Sequence, residues 1–172
     1  MKTGVMLAAG AAVLALAACG RSNEPEMAKN GVIKGPTGLQ VNALSAAGDC
    51  LSPSDQQRPV EDFSPEQKRQ IVGCVNAAMA RQVNAQLPKQ IDAVTRLDRI
   101  STEGPLLTYH YTVLRPASQL PPNAGPQLET QTRRMACAQP QMRQTLGMGG
   151  AYAYRWVDNQ GALIHEVRID AC

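Results

Sequence analysis

The apolar positions along this chain change their spacing several times, and each change marks an element. From Gly4 to Leu16 the apolar residues are nearly continuous behind a single Lys2. That run is too short to span a bilayer and has the length of a signal-peptide core. From Gly20 to about Gly48 large apolar groups thin out, and Pro25, Gly31, Gly35, Pro36 and Gly38 interrupt the backbone. This is the composition of a flexible tether, within which Val32-Ile33 and Leu39-Gln40-Val41 offer a short edge strand.

A helical period opens at Ser64-Pro65-Glu66-Gln67, where Ser suits the N-cap, Pro the first helical position and Gln the N3 position. Val72, Val75, Met79, Val83 and Leu87 then recur at three- and four-residue steps, and Leu87-Pro88 ends the helix. Beyond Pro88 the spacing falls to two. Ile91 to Ile100 reads as a strand, the region of Glu103-Gly104-Pro105 as a turn, and Leu107, Tyr109, Tyr111 and Val113 as one face of a second strand. A loop rich in proline follows (Pro116, Pro121, Pro122), with the character of an exposed excursion.

Pro126 opens a second helix with a weaker stripe of Leu128, Thr132, Met135 and Ala136, and Pro140 restarts it as a short helix that Gly147 caps. The last segment is a hairpin. Tyr152, Tyr154 and Trp156 share a strand face, Asp158-Asn159-Gln160-Gly161 makes the turn, and Leu163, Val167 and Ile169 line the return. The order α-β-β-α-β-β predicts an α+β fold: a small antiparallel sheet of about four to five strands with helices on one face.

Composition narrows what such a domain does. Among 172 residues, 17 Lys+Arg stand against 14 Asp+Glu, an excess too small and too scattered for a nucleic-acid footprint. The five cysteines are the unusual feature. Leu16-Ala17-Ala18-Cys19-Gly20 directly follows the apolar run and matches the lipobox of bacterial lipoproteins. Cleavage before Cys19 and its acylation would anchor the chain stably, since more than one acyl chain is carried. Gly20 in place of Asp favours the outer membrane facing the periplasm, or the cell surface. The predicted organisation is signal peptide 1–18, tether 19–48 and one domain over 49–172.

Cys50, Cys74, Cys137 and Cys172 remain, an even number in an exported chain. Of the three possible pairings, chain order favours Cys50–Cys74 and Cys137–Cys172. Loops of that size stabilise by about 3–4 kcal/mol each in the chain-entropy model. No pair has C-x-x-C spacing and neither His110 nor His165 is near a cysteine in sequence, which argues against zinc and against redox catalysis.

Other chemistry is sparse. His110 and His165 both fall on strands; they either meet as a catalytic pair, or His165 packs inside while His110 decorates the opposite sheet face. No G-x-S-x-G motif accompanies them, which favours the second reading. Gly147-Met148-Gly149-Gly150 lacks the Lys-Ser/Thr of a phosphate loop. Asp92, Asp98 and Glu103 have the spacing of solvated strand charges, and Arg133, Arg134 and Arg143 of a solvated helix face. No catalytic residue, metal or cofactor is expected. Tyr109, Tyr111, Tyr152, Tyr154 and Trp156 lie on two strands at period two, either as a helix-covered core or as a protein-binding face.

From about Leu87 the chain carries a Leu-Pro entry, a strand ending in Tyr-His-Tyr-Thr-Val and a helix reading Arg-Arg-Met-Ala-Cys-Ala-Gln-Pro. A leucine and glycine, a tyrosine-bearing hairpin and a closing cysteine follow. This order resembles the small disulfide-bonded pilotin lipoproteins of type II secretion systems. The resemblance implies a Cys137–Cys172 disulfide, a lipid on Cys19 and a non-enzymatic role in binding a short secretin peptide and escorting it to the outer membrane. The first cysteine pair and the long helix from Ser64 depart from that pattern. The alternative is an immunity or inhibitor lipoprotein that blocks a secreted toxin or hydrolase. The expected partners are thus the membrane, through Cys19, and another protein.

Overall fold

Ser64 starts the longest helix as its sequence suggests. In the computed structural model, which describes residues 32–34, 39–42 and 48–172, Ser64 Oγ accepts from Gln67 N while Gln67 Oε1 accepts from Ser64 N. This reciprocal cap opens α1 (Pro65–Asn84), whose Val72, Val75, Met79 and Val83 are buried. The segment read as a signal peptide, Cys19 and most of the stretch read as a tether lie outside the described residues. Two pieces of that stretch are described. β1 (Val32–Lys34) and β2 (Gln40–Asn42) pair with each other as a separate antiparallel ribbon, instead of extending the edge of the main sheet. The ribbon packs on α1 through β2, Gln82 Oε1 accepting from Asn42 N at 2.7 Å, and Leu39 is fully buried in the core.

The main sheet has five strands in the order β3 (Lys89–Gln90), β4 (Thr95–Glu103), β5 (Leu106–Val113), β6 (Ala151–Val157) and β7 (Leu163–Ile169). The strand expected over Ile91 to Ile100 is divided, because Asp92 Oδ1 accepts from Val94 N and closes a tight turn between β3 and β4. The sheet is also not wholly antiparallel: β5 and β6 run parallel. The connection between them passes through α2 (Ala124–Ala138) and α3 (Pro140–Gly147), and a helical crossover returns the chain to the end from which it left. Every other pair is antiparallel, and the fold is α+β with its helices on one face.

The helices cover the sheet face that carries the aromatic residues. α1 packs on β4 and β5, α2 on β7, and α3 on α2. α1 is held at three points along the β4–β5 hairpin. Gly73 approaches the turn so closely that an added Cβ would sit 3.0 Å from the Gly104 carbonyl carbon. Asn76 Nδ2 donates to Pro105 O, and the Asn84 amide both donates to Ile100 O and accepts from Ile100 N. Two disulfides fix the flanks: Cys50–Cys74 ties the preceding loop to α1, and Cys137–Cys172 ties the chain end to α2. The proline-rich loop after β5 is pinned as well. Asp158, buried in the final hairpin turn, accepts from Ala117 N, Gln160 N and Ala162 N. These N–H groups, Ala117 first, hold its carboxyl below the ordinary range.

Two substitutions test this packing in opposite directions. Asn84→Ala leaves both backbone groups of buried Ile100 without that partner and should cost about 1–3 kcal/mol in urea unfolding; a neutral result would show that the amide does not dock the helix. The Tyr111 hydroxyl is buried with no partner among the described residues, so Tyr111→Phe should leave stability unchanged or raise it by about 1 kcal/mol. A clear loss of stability would show that the hydroxyl is satisfied.

Candidate functional site

The five aromatic residues read as core or binding face are core. Tyr109 and Tyr152 are fully buried, and Tyr111, Tyr154 and Trp156 are no more than 7 % exposed. Register explains it: Tyr109 pairs with Tyr154 and Tyr111 with Trp156 across the parallel β5–β6 pair. Their rings stack with centroids 5.1 and 5.5 Å apart. α3 lies above them, with the Tyr154 hydroxyl donating to Met142 Sδ at 3.9 Å. Burial pushes the Tyr109, Tyr111 and Tyr154 phenols up, and that of Tyr152 to about 12 against the pull of the Thr145 hydroxyl. A free binding surface made of these side chains is therefore corrected by the helices that cover them.

The histidines point to opposite sides of the sheet. His165 pairs with Trp156 in register and shares its covered face, where Nε2 lies 3.3 Å from Glu129 Oε2 on α2. Gly125 packs closely beside it, since an added Cβ there would sit 3.0 Å from His165 Nδ1. His110 lies on the uncovered face, its Nε2 2.8 Å from Ser101 Oγ. No catalytic pair forms. Among the described residues no group of three or more His, Cys, Asp or Glu side chains could hold a metal ion, and no helix is long and apolar enough to cross a membrane.

At the β4 side of the sheet a helix side chain takes the place of a strand partner at one position. Beyond the short β3, the outward groups of Ile100 on β4 are taken by the Asn84 amide. At the other edge α2 lies along β7 from the Gly125–His165 contact to the Cys137–Cys172 bond.

What remains is the open face of the sheet, of which sequence reading named His110 and Asp98; it set Leu163 with Val167 and Ile169, but a register shift after Trp156 pairs Leu163 with Val157 and exposes it on this face. Alternation and register lay it out in rows. Arg99, His110, Arg155 and Glu166 form one row across β4–β7; Ser101, Thr108, Ala153 and Arg168 form the next. On the other side Arg96, Thr112, Val157 and Leu163 make a third. A bulge at Asp98 turns its carboxylate onto this face, where it accepts from Thr112 Oγ1 and pairs with Arg96 Nε. Arg155 pairs with Glu166 at 2.7 Å. Partial burial, then the positive charges of Arg99 and Arg155, hold the His110 pKa below its ordinary 6.5.

With this geometry in hand, solved structures give a direct comparison. A pilotin from the type II secretion system of Vibrio vulnificus superposes with a TM-score of 0.53 at 19 % identity, over 60 % of this chain and 92 % of the pilotin. In fold, this chain is similar to a pilotin. A secreted-protein candidate from Pseudomonas aeruginosa matches equally, with a TM-score of 0.53 at 20 % identity over 60 % of this chain and 93 % of that one. No protein-family profile matches the chain, and no curated protein matches it in sequence.

The depressed His110 pKa makes stability depend on pH. The unfolded chain takes up this proton near 6.5 while the folded protein resists it, so its contribution is full above that pH and is lost as pH falls. His110→Gln should flatten the curve of urea midpoint against pH between about pH 5 and 7. An unchanged slope would assign the acid sensitivity to other groups.

Proposed function

We propose that this chain is a pilotin-like lipoprotein, held by acyl groups on Cys19 in the outer membrane and facing the periplasm, that binds a secretin segment and brings it there. The observation that carries the reading is the fold likeness to a type II secretion pilotin over nearly the whole of that protein. The lipobox at Cys19 and the 19–48 tether support it, because they would place one compact domain near the membrane at which a secretin must arrive. The domain proposed for 49–172 is joined in its core by Leu39, from within the tether stretch. Its role is binding and escort, with no reaction catalysed.

Deletion of the gene tests the proposal. In a strain lacking it, the cognate secretin should fail to reach the outer membrane and should accumulate in the inner membrane or be degraded. The full-length protein should restore it, whereas Cys19→Ser, which loses the lipid, should not. Secretin localisation unchanged by the deletion would sink the proposal. Co-purification of the protein with a secreted toxin or hydrolase, and no secretin, would favour the inhibitor reading instead.

A further inference from the structure

Part of the stretch read as a tether over 19–48 is fastened to α1 by a side chain. Gln82 Oε1 accepts from Asn42 N at 2.7 Å, and Gln82 Nε2 donates to Asn42 O at 3.4 Å. Gln82 thus treats Asn42 as Asn84 treats Ile100: one carboxamide meets both backbone groups of one residue. Positions two apart on a helix face about 200° away from each other. The end of α1 therefore holds β4 on one side and β2 on the other. Just before β2, Leu39 is fully buried in the same apolar core as Val75, Met79 and Val83 of α1.

Antiparallel pairing carries this hold back along the chain. Val32 pairs with Asn42, so β1 begins beside the clamped residue, on the side that leads to Cys19. Tension from an anchored Cys19 would enter at Val32 and meet the Gln82 contact first. Val32 lies thirteen residues after Cys19, and at 3.3–3.6 Å per residue that chain spans at most about 45 Å. Without the ribbon the next fixed point is Cys50, bonded to Cys74 of α1, and the limit becomes about 105 Å. A domain of about 125 residues has a radius of gyration of about 14 Å. The shorter limit keeps it beside the surface that bears Cys19, and the longer one lets it range far away. The ribbon takes no place in the five-stranded sheet, so its release would leave that ladder intact.

We propose that the β1–β2 ribbon is a clasp that cuts the reach of the domain from its membrane anchor by more than half, an inference that rests on Cys19 carrying the lipid as proposed above. Leu39 is its plug and Gln82 its catch.

The test stretches the mature chain in an optical trap, between a handle beside Cys19 and one at the C-terminus. The length held back by the ribbon runs from Val32 to Cys50, about 60 Å when extended. The wild type should gain that length in a step below the force that unfolds the domain. Gln82→Ala should show the step at lower force, and Leu39→Asp should start about 60 Å longer with no step. If Leu39→Asp does not fold, hydrogen exchange at the Asn42 amide takes its place: it should be at least about tenfold faster in Gln82→Ala than in the wild type. A wild type that already has the extra length, or a step and an exchange rate that Gln82→Ala leaves unchanged, overturns the clasp. Palmitate labelling in cells reads the anchor separately. No label on Cys19 overturns the anchor and the reach limit together, whereas a labelled Cys19 with no step overturns the clasp alone.

Discussion

The parallel register of β5 with β6 is the constraint on which the rest of the domain depends. It sets Tyr109 on Tyr154 and Tyr111 on Trp156, and stacked pairs of this kind contribute about 0.5–1.5 kcal/mol each beyond their buried area. Because side chains alternate with period two, a slip of one residue would turn the aromatic rings to solvent and bring His110 and Arg155 under the helices. Burying those polar groups without partners costs more than the ladder returns. One pairing therefore decides the composition of both faces: the core above, and the row of Arg99, His110, Arg155 and Glu166 below.

The helical layer is fastened to this sheet by polar contacts and covalent bonds as much as by apolar area. α1 presents Asn76 and Asn84 to backbone groups of the β4–β5 hairpin, and Gly73 lets the two backbones approach. Each disulfide has at least one end in a helix, Cys74 in α1 and Cys137 in α2. The open face carries neither a cross-link nor a covering element among the described residues, so its outline follows from the strand ladder alone.

Much of this layer structure was legible in the chain. The capping residues at Ser64 and Gln67 and the turn at Asp158 to Gly161 are local signals, and local chemistry decides them. The alternation in Leu106 to Val113 is equally local, and it already separated the tyrosines from His110. The parallel pairing was not legible, because it depends on where a crossover of 37 residues lands, and no local motif encodes that. Nor was the division of β3 from β4, where one side-chain bond from Asp92 outweighed an otherwise continuous pattern. The open face escaped notice for a related reason. Arg99, Arg155 and Arg168 are scattered in sequence and become neighbours only through strand order.

The Asn84 amide has a consequence beyond helix docking. It meets both backbone groups of Ile100 as a neighbouring strand would, but it ends there, offering no further row of donors and acceptors. At that position the ladder stops at a side chain. Unpaired strand edges are the usual template for chains to join one another and aggregate, and crowding many copies on one surface would make that hazard acute. A single carboxamide at the end of a helix thus removes one position of β4 from the edge on which another chain could pair.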